Sequence, residues 1–326
     1  MSGNPSSRRQ FLRRAALGAA GLALGGAAPA QPAPGSDVVV VRHPGMVTRR
    51  TTDEAKVREA VDCAVCELTG AEEVAEAWRQ IVTPEDVVGI KVNCSGGPSC
   101  HTSLAMVRAA VAGMAAAGMP EDNIIVCDQT ERALKVCGYP VRRRGEGFRC
   151  EGLEEYDRVP MRIGQVYTRF AKVYSQEITA LVNMPMLKTS MAAEWSPGVT
   201  MALKNNFGAI SNPDRFHHNQ CEPYISLINS AKVIRDKTRL ILGDGTRPLY
   251  DGGPMDNPRA RASYGAVLAS FDPVAHDNVG HQILMELRKQ ERIRPQPVHL
   301  RNAGMPPYNL GVWLPAHINR RDIVLE

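Results

Sequence analysis

The sequence predicts an α/β protein with a mostly parallel sheet and helices on both faces, as one domain or two closely packed lobes. Three observations predict it. Short aliphatic runs recur at Val38–Val41, Val87–Val92, Ile124–Cys127 and Ala180–Val182, each of a length and type suited to a buried strand. Capped helical stripes separate most of these runs. The chain has 326 residues, 44% apolar but only 5% aromatic, so it can bury a large core that must be mostly aliphatic and alanine-rich.

In order, Val38–Val41 is a strand, and apolar residues at Val57, Ala60, Val61, Ala64, Val65 and Leu68 form a helical stripe that Gly70 ends. A second helix covers Glu72–Ile81. After strand Val87–Val92 comes the glycine-containing loop Asn93–His101, then a helix capped by Thr102 or Ser103 and terminated by Gly118. Strand Ile124–Cys127 ends at Asp128. Tyr139–Pro160 reads as irregular, and strands are expected near Arg169–Val173 and at Ala180–Val182. Lys188-Thr189 then heads a loop, and Lys204-Asn205-Asn206 lies on a helix. Pro223–Ile234 reads as an amphipathic helix, Leu240–Leu242 as a strand, and Gly243–Pro258 as a long loop. Ala266–Ala269 is a strand, Asp272-Pro273 caps a helix to about Arg288, and Ile323–Val324 is a final strand.

The amino terminus is organised differently. Ser7-Arg8-Arg9-Gln10-Phe11-Leu12 matches a twin-arginine export leader, followed by a weakly hydrophobic Ala/Gly/Leu run and the small residues Ala28-Pro29-Ala30 of a cleavage site. Residues 1–30 are thus expected to be a signal peptide read by the twin-arginine machinery. Residues 31–326 would form the domain, periplasmic and soluble after cleavage, with no stable membrane anchor. The leader holds four of the 39 basic residues and no acid, so 35 remain against 34 acids, about +1 rather than +5. That balance gives no support to nucleic-acid binding, and Arg142-Arg143-Arg144 reads as a solvated loop.

The motifs VVGIKVN, VNMPMLKTS, GVTMALKNNFG, GDGTRPLYDGGP and VLASFDPVAHD occur in this order from residue 87 to residue 277. They resemble domain-of-unknown-function family 362, over roughly Asp37 to the carboxyl terminus. The resemblance implies an α/β fold and no particular reaction; some family members carry iron–sulphur domains, but the ferredoxin cysteine run is absent here.

In parallel sheets ligands collect at the carboxyl ends of strands. That rim is expected to gather Lys91, Asn93, Asp128, Lys188, Asp244 and Asp272. Of only nine lysines, Lys91, Lys188 and Lys204 sit in or beside apolar strings. There a lysine is either desolvated and reactive, a cation for a bound anion, or structural glue to Asp128, Asp244 or Asp272. The first hypothesis is a protein that binds or acts on a small anionic compound. Lys188 and Lys204 would hold or activate it, and Asp244 or Asp272 would act as base or metal ligand. Lys91, Asn93, Gly96, Gly97, Thr102, Ser103, Asp128, Thr189 and Asn205 would line the site, with the Asn93–Ser103 loop as an anion cradle at a helix start. No dinucleotide or Walker spacing is present.

Eight cysteines suggest disulfides, Cys137–Cys150 among them, or a site of four thiolates. Cys63 and Cys66 fall off the core stripe of their helix, and with Cys94 and Cys100 could hold a metal ion or iron–sulphur cluster. That second hypothesis is a redox protein. A third is a non-enzymatic exported factor that binds another protein. His217, His218, Cys221 and Glu222 form a further polar cluster, and His276 is expected on a helix surface.

Overall fold

The computed structural model describes residues 36–48, 51–190, 198–288 and 296–326. The leader lies outside the described residues. Ala33–Glu326 forms one compact unit. Its centre is a ten-stranded sheet built on β1 (Ser36–Arg42), β2 (Val88–Lys91), β3 (Ile124–Asp128) and β4 (Arg149–Gly152). Further along come a two-stranded hairpin, β5 (Met161–Ile163) and β6 (Val166–Thr168), then β7 (Ala180–Asn183), β8 (Met186–Ser190) and β9 (Gly198–Val199). The last strands are β10 (Thr238–Leu249), β11 (Ala266–Ser270) and β12 (Ile318–Val324). The spatial order is β12-β1-β11-β10-β7-β2-β3-β4, with β8 on β10 and β9 on β8. The run from β10 to β4 is parallel, as is β1 with β12. β11 is antiparallel to both its neighbours.

The apolar runs are continuous because both faces of the sheet are covered. Val39 and Val41 enter one core with Ile90, Ile124 and Val126. Helices α1 (Glu54–Thr69), α2 (Val74–Arg79) and α3 (Leu104–Ala116) pack over that core through Val57, Val61, Trp78 and Met106. Val38 and Val40 face the other way, against Val279 and Ile283 of a later helix. On that second face Ile125 and Cys127 meet Phe207, Ile225 and Ile228. Remaining helices are α4 (Glu131–Val136), α5 (Ala202–Asn205), α6 (Tyr224–Asn229), α7 (Lys232–Arg235), α8 (Pro273–Leu287) and α9 (Val298–Gly304). No helix among the described residues is long and apolar enough to cross a membrane.

Several helix starts are set by short polar side chains. Asp53 accepts from the amides of Ala55 and Lys56, and Gly70 closes α1 at φ +72. Ser103 accepts from Ala105 N at the start of α3, and Asp272 from Val274 N and Ala275 N at the start of α8.

Several expected elements differ. Lys188-Thr189 does not head a loop: Pro185 interrupts the run and the chain resumes as β8, with Met186 opposite Asp244 and Lys188 opposite Leu249. β10 does not stop at Leu242 but runs through the glycines to Leu249. Gly243 reads as a loop residue, yet it stands in the strand because a Cβ there would collide with His276 Nε2. β4 emerges from the stretch expected to be irregular, and Arg143 pairs there with Glu151 and Glu155. The stretch near Arg169–Val173 is not a strand; it leads into a single π-helical turn, Val173–Glu177. The helix expected over Pro223–Ile234 is two short ones, broken at Ser230-Ala231, where Ala231 is extended.

Candidate functional site

β2, β3 and β7 end side by side, in register at Lys91, Cys127 and Asn183, and present their carboxyl ends to one rim. Lys91 is only 1% exposed, so its ammonium needs compensation. It receives it: Nζ lies 2.6 Å from Asp128 Oδ1, 2.7 Å from Val92 O and 3.2 Å from Asn205 Oδ1. Asp128 also accepts from Cys94 N at 2.6 Å and Gln129 N at 2.7 Å. Gly208 covers this pair closely, since a Cβ there would sit 3.0 Å from Lys91 Cε. The Lys91 charge is thus paired within the protein.

Asn205 extends the network. Its Nδ2 donates to Lys91 O at 3.1 Å and Asn183 Oδ1 at 2.8 Å, while its Oδ1 accepts from Asn93 Nδ2 at 3.0 Å. Ser95 Oγ donates to Asn93 Oδ1 at 3.0 Å and accepts from Lys188 Nζ at 2.9 Å. One hydrogen-bonded chain thus joins two buried lysines, Lys91 through Asn205, Asn93 and Ser95 to Lys188.

The two ends differ. Lys188 is 0% exposed, and among the described residues its Nζ meets only Ser95 and, at 3.4 Å, Pro254 O. No carboxylate is within ion-pair distance of it among those residues. Burial holds its pKa below the ordinary lysine value, against an opposing influence of Cys100 and Asp128.

Lys204, half-buried, is a second cation with no carboxylate within ion-pair distance among the described residues. Asp277 fixes α5 by accepting from Ala202 N at 2.8 Å and Leu203 N at 3.0 Å. Lys204 Nζ then lies 2.9 Å from His217 Nε2 and 4.6 Å from the Phe207 ring centre. His217 Nδ1 is 2.9 Å from Pro213 O, which can only accept, so Nδ1 carries the hydrogen and Nε2 offers its lone pair to Lys204. Burial lowers the pKa of both Lys204 and His217, and the Lys204 charge lowers His217 further.

The expected anion cradle is largely occupied by the protein itself. Within the loop, Asn93 N is taken by Thr102 Oγ1, Cys94 N by Asp128, and Ser103 N by Asp244 Oδ2 at 2.6 Å. Gly97 N, Cys100 N and Thr102 N bond within the loop. Thr102 Oγ1 donates onward to Met184 O. Gly96 lacks a Cβ to let Cys100 pack on it, and Gly97 turns the chain at φ +83. Asp244, 1% exposed, also accepts from Thr246 N and Oγ1 at 2.8 and 2.6 Å. Burial raises its pKa, and these donors oppose the rise. It anchors the start of α3 through Ser103 N. Thr189 Oγ1, fully buried, accepts from Gly253 N.

Asp272 is not on the rim. β11 runs antiparallel to its neighbours, so its carboxyl end lies beside the start of β1, with Ser270 opposite Val38. There Asp272 caps α8 and accepts from Ser36 Oγ at 2.6 Å and Val312 N at 2.7 Å. Its carboxylate is thus taken up by the start of α8, Ser36 and Val312. His276 is buried rather than on a surface, its Nδ1 2.9 Å from Asp277 Oδ1.

The four-thiolate site is not assembled. Among the described residues no three His, Cys, Asp or Glu side chains are placed to hold a metal. Cys63 and Cys66, half-buried, line an open groove with Glu59, Asp62 and Glu72, because α1 turns its other side to the sheet. Cys100 is buried 3.7 Å from Met186 Sδ, and Cys94 lies against Cys137. All eight cysteines are in the thiol form. The polar cluster after α5 also disperses: His217 goes to Lys204, and Glu222 accepts from Asn302 at 2.7 Å.

A family model described as "Domain of unknown function (DUF362)" matches residues 88–282, more than half of the chain. The chain belongs to this family. The DUF362 match spans β2 through most of α8 and so includes all of the rim network. A crystal structure of a protein from Thermotoga maritima is similar at 9% identity and a TM-score of 0.41, covering 75% of this chain and 61% of that one. This chain thus spans less than two thirds of that protein's length. No curated protein matches the sequence.

Among residues the sequence pointed to, the rim unites Lys91, Asn93, Asp128, Lys188 and Asn205. Sequence reasoning missed Ser95, Asn183 and Asp277. Asn183, at the end of an apolar run, carried a signal equal to that of Asp128. Asp277 carried only its i, i+4 spacing to His281 on a helix.

Proposed function

We propose that this family 362 chain is an exported protein that binds, or acts on, a small anionic compound through Lys188 and Lys204. The observation that carries this reading is Lys188: a fully buried ammonium, held by a serine hydroxyl, with no ion-pair partner among the described residues. A buried cation without a counter-charge is costly, and an anionic ligand offsets that cost. Lys204 supports it as a second cation without a carboxylate partner among those residues. Asp244 and the loop amides serve the scaffold, so the lysines supply the recognition.

The test is thermal unfolding of the mature protein in inorganic phosphate and in small di- and tricarboxylates, against chloride at equal ionic strength. At about 100 times the dissociation constant, a ligand stabilises by about 2.7 kcal/mol. One of these anions is expected to raise Tm in the wild type, with the rise lost in Lys188→Met and reduced in Lys204→Met. A rise that survives both substitutions, or no rise with any anion, removes the reading.

Export rests on the Arg8-Arg9 leader, its weakly hydrophobic run and Ala28-Pro29-Ala30. Residues 1–30 fused to a reporter are expected to send it across the membrane, and the Arg8→Lys, Arg9→Lys pair to retain it inside. Transport unaffected by that pair would exclude the twin-arginine route.

A further inference from the structure

The eight cysteines are not equivalent, and two of them touch. Cys94 follows β2 in the rim loop, its amide held by Asp128 at 2.6 Å. Cys137 follows α4, and its amide closes that helix onto Ala133 O and Leu134 O. The two elements are far apart in sequence, yet Cys137 Sγ lies 3.8 Å from Cys94 O, which puts the two residues in contact. Both lie in the same core cluster under the rim, Cys137 at 8% exposure and Cys94 at 3%. The expected pairing of Cys137 with Cys150 is not what the fold brings about: Cys150 sits on the edge strand β4, across from Arg142.

We propose that Cys94 and Cys137 form an oxidisable dithiol that closes to a disulfide by exchange with a small-molecule disulfide. The Cys137 thiolate attacks one sulfur of the small disulfide and releases the first small thiolate. Cys94 then loses its proton to solvent, and its thiolate attacks Cys137 Sγ, expelling the second small thiolate. Two protein thiols are oxidised and one small disulfide is reduced to two thiols, so the electrons balance.

The polarity of the pair sets the order of attack. The Cys137 pKa is lowered, chiefly by the neighbouring Cys94 side chain and also by the Lys188 charge, against the effect of burial. Cys94 is raised, chiefly by the neighbouring Cys137 side chain and by burial. Cys137 is also the more exposed of the two, which makes it the attacking thiol and Cys94 the resolving one. In the remaining buried thiols burial outweighs the nearby cation: it raises Cys100, Cys127, Cys221 and Cys150, the last to about 12. Cys63 and Cys66 are more accessible, but burial and neighbouring acids raise both.

The inference is independent of what the rim binds, and its test reads bonds rather than ligand effects. The native protein is incubated with oxidised glutathione and its peptides are mapped by mass spectrometry without reduction. The main cross-link is expected to join the Cys94 and Cys137 peptides. In Cys94→Ser, glutathione is expected to remain attached at Cys137, because nothing resolves the mixed disulfide. A main cross-link between any other pair, or none while Cys63 or Cys66 is modified, overturns the proposal. The wild-type map decides the matter alone if Cys94→Ser fails to fold.

Discussion

Asp128→Asn is expected to destabilise the protein by about 3–5 kcal/mol, the range for removing one partner of a buried ion pair. The substitution keeps shape and volume, so the loss reports electrostatics and hydrogen bonding rather than a cavity. Lys91 would keep its ammonium at 1% exposure with only two neutral oxygens, Val92 O and Asn205 Oδ1. The new amide also faces three donors, Lys91 Nζ, Cys94 N and Gln129 N, where the carboxylate accepted from all of them. One end of an asparagine donates, so at least one of those contacts becomes donor against donor. Denaturant unfolding with an unchanged m-value checks it through the midpoint. A second variant separates causes: Lys91→Met with Asp128→Leu removes both charges and is expected to recover part of the loss. A loss below about 1 kcal/mol in Asp128→Asn would mean that water screens the pair like a surface bridge.

Much of this arrangement was legible in the sequence, for physical reasons. Strands buried on both faces must be continuous aliphatic runs, and Val38–Val41 and Ile124–Cys127 are such runs. Lysines are rare here, so one beside an apolar string marks a place where charge has been forced inward. What could not be read was direction. Asp272 looks like a rim residue until β11 is seen to be antiparallel, and a pattern of strand, loop and helix carries no sign for that. Gly243 and Gly245 look like loop punctuation, although β10 passes straight through them. Pairing across the chain was equally hidden. Ser95 under Lys188 and Cys137 against Cys94 join residues 93 and 43 positions apart, and only the packed sheet brings them together.

Lys188→Met is expected to make the ligand-free protein more stable at neutral pH, by about 1–2 kcal/mol, while abolishing anion binding. Methionine matches the unbranched stem of lysine and has no charge to desolvate, so packing is kept and the cost of burial is removed. The pH dependence distinguishes this from simple repacking. Burial places the folded-state pKa of Lys188 below its ordinary value of 10.5. Between those two values the unfolded chain binds more protons than the folded one, so wild-type stability rises with pH. The contribution is fully present above 10.5 and is lost as pH falls through the folded pKa. The advantage of the variant should therefore be largest at neutral pH and shrink towards pH 10.5. Lys204 has the same sign and remains in both proteins, so their difference reports Lys188 together with its repulsion of Lys204. Paired denaturation curves from pH 7 to 10 measure it. A variant less stable than wild type at pH 7 would place Lys188 among the structural cations with Lys91. An advantage that does not vary with pH would mean that its protonation is the same folded and unfolded. The expected outcome, stability gained and binding lost in one substitution, is what a buried charge retained for a ligand should give.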